Sequence, residues 1–472
     1  MLGYLTQLER KTSNTVEAKL DNHYTSLMPT DHVPAPTDLE FARTAHEERH
    51  LLETVEVPVV TVSATFKEEV EKEFGEQPKD EMPDVTFSRA HYSMANAIVV
   101  AAGNMRKSFW MIDPTNYVSA AAWPKVLFTE EMGRIIARNP LLKELKDMMD
   151  TRVRNQLPLT AAIREPLSYV TGRTRAPIIS LHYEAGNILV ENGKTVLQVV
   201  TDPHVRPQYV TNADSPHMSY AVFDEKTKAE LLELAYILGH KLDESRVTVV
   251  GCPVDPRLEA IAKRRSTTAF RDRPLRLAVT TGGLGTNKGE IEELLHHLAP
   301  SIKNGHVAVA AYAGVHDDFL HMFTKFAREH DISRGHEDNV HAPFRIFKGT
   351  DIVDANELLL KHVFPWADGF VTKPSGDMAY EAVAAGCFLL TLTPWGPWEE
   401  NIRAHFEEAG VSVRARGRDI VPQITALSYI PVKEKKSWVE LAMERAKIAA
   451  PHLARGAENI VRLQQKMAKT LR

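Results

Sequence analysis

Apolar residues in this chain fall in short continuous runs separated by amphipathic stretches, the pattern of buried parallel strands alternating with helices. VPVVTVSATF (57–66) is apolar and β-branched, so a strand buried on both faces is expected there. An acidic insertion follows, then an Ala-rich helix at 88–103 and a second strand, SFWMIDP, at 108–114. Residues 124–175 read as a long helical stretch. In it Arg134, Arg138, Lys143, Lys146, Arg152 and Arg154 interleave with Ile135, Ile136, Leu141, Leu142 and Leu145. APIISLH, TVLQVVTDPH, MSYAVFD and RVTVVGCPVDP supply further strands. After the charged RLEAIAKRRSTTAFRDRPLR the pattern restarts: a strand at 275–283, a helix at 288–300, a strand at 307–314 and a helix at 317–330. FRIFKG, ADGFVTK and FLLTLTP complete this second set, and 437–472 is helical without a strand signal. Strand–helix alternation twice over predicts an α/β protein of two doubly wound parallel-sheet domains, 57–265 and 266–432. A polar helical extension, 1–56, and a helical segment, 433–472, flank them.

Size agrees, since 472 residues exceed what one ordinary core accommodates. No apolar run approaches the roughly 20 residues that span a bilayer. The start, MLGYLTQLERKTSN, lacks a basic segment followed by an apolar core, so no secretory signal is read. Cys252 and Cys387 both lie in apolar strand-like runs, where buried free thiols are expected, and a cytoplasmic location follows. A net charge of −5 argues against a general nucleic-acid binder.

The densest chemistry lies in FVTKPSGDMAYEAVAAGCFLLTLTPWGPWEEN, 370–401. It reads as strand, turn, helix, strand and a Trp/Gly/Pro loop, a βαβ unit that opens onto a ligand crevice. Lys373, Ser375, Gly376 and Asp377 form the turn, and Glu381 sits one helical turn beyond Asp377 on the same face. A phosphate at this turn with a carboxylate for sugar hydroxyls would suit a nucleotide-sugar. An ordinary crossover turn followed by a surface Glu is the other reading. TTGGLGTNKGEIEELL (280–295) is a second candidate, with Gly282, Gly283, Leu284, Gly285 and Thr286 between a strand and a helix. Glycines let backbone approach a pyrophosphate. This turn also reads as a plain tight βα connection. It is not GxGxxG and it opens the second domain, which counts against a dinucleotide enzyme.

The 370–401 segment resembles the donor-binding motif of GT-B glycosyltransferases. The relevant group contains monogalactosyldiacylglycerol synthases, processive diacylglycerol glucosyltransferases and the lipid-linked N-acetylglucosaminyltransferase of peptidoglycan synthesis. Thr372, Lys373, Pro374 and Gly376 match its Thr-Lys-Pro-Gly-Gly, and Glu381 falls at the ribose-holding position; Ser375 and Asp377 depart from the usual small residues. The Gly282–Gly285 turn is similar to the one that opens the second domain in that group. Thr201, Asp202, His204, Tyr220, Gly251, Pro253 and Val254 follow the group's order through the first domain. The likeness spans roughly 57–430.

This resemblance implies the GT-B fold and inverting transfer of a hexosyl group from a UDP-sugar to an acceptor hydroxyl, a lipid in these relatives. UDP would lie between Gly282–Gly285, Lys373–Asp377 and Glu381. Gly396, Asn401 and either Glu399 or Glu400, in the Trp395/Trp398 loop, would face the donor sugar. His91, at the start of the Ala-rich helix, would be the base, with Asp202 and His204 on the acceptor side. Arg89 and Ala90 stand where the group has glycines. For His91 a solvated helix-start residue is the alternative, and for Asp202 and His204 loop capping. The basic helices over 124–154 would touch an anionic membrane, giving a peripheral location, or simply pack on a sheet with a charged outer face. The His, Cys and carboxylate spacings show no metal motif, so neither metal nor cofactor is expected beyond the UDP-sugar itself. Two other readings stay open, a UDP-sugar 2-epimerase of the same fold and a nucleotide-sugar-binding protein without turnover.

Overall fold

The computed structural model describes residues 38–79, 84–127, 158–283 and 285–471. Leu284, the first 37 residues and the basic stretch from residue 128 onward to 157 lie outside these. Two parallel sheets organise the chain. The first has six strands, β1 (Val57–Val60), β2 (Phe109–Ile112), β3 (Ile178–Ser180), β4 (Val196–Val199), β5 (Met218–Val222) and β6 (Val247–Val249), in the order β2-β1-β3-β4-β5-β6. The second has seven: β7 (Leu275–Thr280), β8 (Val307–Gly314), β9 (Arg334–Gly335), β10 (Phe344–Lys348), β11 (Gly369–Thr372), β12 (Phe388–Thr391) and β13 (Ser412–Arg414). Their order is β13-β12-β11-β7-β8-β10-β9. Helices cover both faces of each sheet, so β1, β4, β8, β11 and β12 are buried along their whole length. That double burial is why their sequences are continuous apolar runs rather than alternating ones.

The carboxyl ends of the two sheets face each other. Phe223, just beyond β5, meets Tyr380 of the second domain edge-on at 5.6 Å, and Asn401 donates to the Pro203 carbonyl beyond β4 at 3.1 Å. The two halves also share one apolar core, running from Val57, Ala97 and Phe223 through Ala278 and Phe370 to Tyr380 and Ile460. Two parallel α/β domains opposed across a cleft make this the GT-B fold.

Residues 38–56 carry more apolar anchoring than their polar composition suggests. Leu39, Phe41, Ala45 and Leu52 are buried with Val60, Ile112 and Tyr117, and the Ala42–Thr54 helix lies against the first domain. Glu48 bonds the Tyr117 hydroxyl, and burial pushes its carboxyl up to about 8. At the other end, helix Trp438–Leu453 packs on the second domain, where Ser437 and Glu440 form a capping box. Helix Arg455–Thr470 then crosses to the first. Gln464 donates to the carbonyls of Glu56 and Pro177 at 3.0 and 2.8 Å, and Asn459 to that of Val250 at 2.9 Å. Gly456 makes this crossing possible, because a Cβ there would lie 2.1 Å from the Cys252 carbonyl oxygen. Gly456→Ala is therefore expected to destabilise the protein by about 1–3 kcal/mol, the cost of overpacking against backbone, seen as a lower denaturant midpoint.

Candidate active site

Each sheet reverses its strand order in its interior, between β1 and β3 in the first and between β7 and β11 in the second. Open α/β sheets bind ligands at such points, because the loops leaving the two central strands diverge and leave a crevice. The Gly282–Gly285 turn follows β7 and the Lys373–Asp377 turn follows the neighbouring β11. Topology alone thus makes them adjacent. The Lys373 side chain lies directly over Gly282, where a Cβ would come within 2.3 Å of it and displace the lysine. Gly285 closes the turn by donating to the Gly282 carbonyl at 2.8 Å and takes φ +61°, a conformation suited to glycine. Thr286 is buried with an unpartnered hydroxyl.

Every charge at this crevice is paired within the protein. Lys373 Nζ lies 2.7 Å from Glu399, which also accepts from the Trp395 backbone N–H at 2.7 Å. Burial alone would lower the Lys373 pKa, but Glu399 outweighs it and the ammonium sits above the ordinary lysine range. Ser375 donates to Asp377 at 2.5 Å. Arg89, from the first domain, reaches across the cleft to Asp377 at 2.7 Å, Glu381 at 2.8 Å and Asn356 at 3.0 Å. All four side chains are almost fully buried. Burial pushes the Glu381 carboxyl up, against the pull of Arg89, whereas at Asp377 the guanidinium outweighs burial and holds the carboxyl low.

The reversal in the first sheet carries the histidine. Asp113, beyond β2, accepts from Ser63 N–H, Ser63 Oγ and Ala64 N–H at 2.6, 2.9 and 3.1 Å, fixing the loop after β1. That loop presents the Val62 carbonyl to His91 Nδ1 at 3.1 Å. Ser88 caps the Arg89–Asn104 helix by accepting from the His91 N–H at 3.2 Å, which places His91 in the first turn. With Nδ1–H on a carbonyl, Nε2 is the free lone pair, facing the Thr201 hydroxyl at 3.3 Å. Burial lowers the His91 pKa, so the ring is a neutral base at physiological pH.

Of the expected acceptor-side residues, Asp202 joins this cluster and His204 does not. Burial pushes the Asp202 carboxyl up, with Arg206 and His91 opposing. His204 turns outward to Glu230 at 2.7 Å and stacks on Trp398. Asn401 is held between Lys226 at 2.9 Å and the Pro203 carbonyl, so the 394–402 loop rests on the first domain. Trp398 fills the space over Gly396, and Arg206 lies over its ring at 5.1 Å. Glu400 instead pairs with Arg403 on the helix surface.

Four residues of the cluster were not foreseen in these places. His182 lies two residues beyond β3 and meets His91 edge-on at 5.4 Å; burial lowers its pKa well below the usual value. A histidine at the end of an apolar strand beside a reversal point was the available signal. Arg206 and Tyr312 gave none, and Arg89 showed only as a departure from glycine.

Two spaces open here. One of about 20 Å³ lies among Arg89, Gly282, Gly283 and Tyr312, room for about one water molecule. The other, about 440 Å³, continues from it past His316 to Thr65, Asp84, Lys348 and Thr350. Only the second is of ligand size. Among the described residues no group of three or more His, Cys, Asp or Glu side chains could hold a metal ion.

No protein-family model matches the chain, and no curated protein matches it. Among solved structures it is similar to a UDP-glucosyltransferase from Polygonum tinctorium, with 13% identity, 89% of this chain and 99% of that one covered, and a TM-score of 0.46. It is also similar to a putative UDP-N-acetylglucosamine 2-epimerase from Listeria monocytogenes, with 11% identity, 86% and 94% covered, and a TM-score of 0.49. MurG from Acinetobacter baumannii gives 12% identity, 87% and 100% covered, and a TM-score of 0.44. At such identities the likeness concerns the fold, and the chemistry has to come from the residues.

Proposed function

We propose that this protein is a UDP-sugar-dependent hexosyltransferase. The observation that carries the proposal is the pairing of two ligand-type turns, Gly282–Gly285 and Lys373–Asp377, on neighbouring strands at the reversal of the second sheet. The diphosphate would lie against the glycine turn, and Glu381 would accept from ribose hydroxyls. The larger space toward Lys348 and Thr350 would take the base. Glu399 and Asn401 lie on the loop suited to the hexose. His91 would remove the proton from the acceptor hydroxyl as its oxygen attacks the anomeric carbon. The sugar–phosphate bond breaks on the opposite side, which inverts the anomeric centre and sends its electron pair to the departing UDP. In line with the sequence resemblance, the acceptor would be a lipid presented at a membrane surface. No helix among the described residues is long and apolar enough to cross one.

The test is UDP release from a panel of UDP-sugars with and without lipid extract, with products identified by mass spectrometry. UDP appearing only with acceptor supports transfer; an epimerised sugar replaces it with isomerisation. Glu381→Ala is expected to weaken UDP-sugar binding about tenfold, the worth of a charged hydrogen bond, and unchanged affinity would remove Glu381 from the site. A second reading, nucleotide-sugar binding without turnover, draws on the internally paired crevice, where Arg89 occupies both carboxylates. Tight binding with no product would select it.

A further inference from the structure

Arg89 has no task in the reaction as written above, yet it is the most committed side chain at the site. Its guanidinium crosses from the first domain into the crevice of the second and is only 6% exposed. Nη1 and Nη2 are bonded, but Nε has no partner. The Tyr312 hydroxyl lies against the Arg89 guanidinium, reaches no acceptor of its own and is only 1% exposed; burial pushes its pKa up to about 12, so it remains a donor. Both residues line the 20 Å³ space together with Gly282 and Gly283. Two buried donors without acceptors, around a void bordered by glycine backbone, call for an acceptor oxygen, and the guanidinium favours one that carries negative charge. The Arg89 backbone nitrogen lies 3.4 Å from where a Gly283 Cβ would be, so the glycine turn and the Arg89–Asn104 helix start converge here. Both the Arg89–Asn104 helix and the Lys288–Lys303 helix begin nearby, each of 16 residues, and each directs its positive end toward this region.

Charge decides the matter. Lys373 is engaged by Glu399. Without Arg89, among the described residues, Lys373 alone would stand against Asp377, Glu381 and Glu399, and the crevice would repel a diphosphate. Arginine's planar fork suits two phosphate oxygens. Resting on the nucleotide-site reading, we propose that Arg89 is the cation of the diphosphate and exchanges the carboxylates of Asp377 and Glu381 for phosphate oxygens when the donor enters. The exchange also frees Glu381 for the ribose, so the two recognition events are coupled. The first domain would then sense the phosphates that the second domain binds.

Calorimetric titration of the full chain with UDP and with uridine tests this. Wild type is expected to prefer UDP. Arg89→Gln is expected to lose about 30-fold in UDP affinity and less than about threefold in uridine affinity. Arg89→Lys, which keeps the charge and the fold but not the fork, should fall between them. Equal losses for both ligands in folded variants, or tighter UDP binding by Arg89→Gln, overturn the proposal while leaving the nucleotide site standing. Wild-type protein that binds neither ligand overturns both.

Discussion

His91→Ala is expected to lower the transfer rate by about 10²–10⁴-fold, the usual contribution of a positioned general base. UDP affinity should be unchanged, because the ring touches the first domain's loops and not the glycine turn. Nδ1 is 3.1 Å from the Val62 carbonyl, which fixes the tautomer and leaves Nε2 to accept. The pH profile supplies a second check. Burial lowers the His91 pKa from the ordinary 6.5, so the base stays unprotonated as pH falls through that value. The acidic limb of kcat/KM should therefore lie below pH 6.5 rather than at it. An alanine variant with wild-type turnover, or an acidic limb above the free histidine value, would remove His91 from the chemistry.

Gly376→Val is expected to reduce kcat by about 10²-fold through misplacement rather than lost contacts. A Cβ at 376 would lie 2.9 Å from an Asp202 carboxylate oxygen and 3.0 Å from the Thr201 carbonyl. Those atoms belong to the opposite domain, and Thr201 faces His91. A valine must hold the two halves apart, moving His91 away from anything bound in the second domain. Small-angle scattering should show a wider particle, and UDP binding should survive. A variant with full turnover would mean that the domain contact at 376 has no part in the reaction.

The legible parts of this fold were those whose burial is set by the strand itself. VAVAAYAG at 307–314 coincides with β8 residue for residue, because a strand covered on both faces must be apolar throughout. β13, at the sheet edge, is three residues ending in an exposed arginine and left no trace in the pattern. The Ala42–Thr54 helix was expected as part of a polar helical extension but not its anchoring on the first domain, since its anchors are few and two of them, Leu39 and Phe41, precede it. The crevice loops could be named because glycines and turn residues between a strand and a helix have few other uses. Their occupant could not: Arg89 pairs with residues 288 and 292 positions away, and no local spacing encodes such a contact. His204 misled because its position after β4 says nothing about direction, and Glu230 turned it outward.

The return of Arg455–Thr470 to the first domain has a consequence for how the chain is made. Gln464 caps carbonyls beside β1 and β3, and Ile460 and Val461 complete the core that Val57 and Ala101 begin. During synthesis the earliest sheet stays partly uncovered until residues 455–470 have been made. Nascent chains stalled before residue 455 should therefore be the aggregation-prone species, and the ones a chaperone holds.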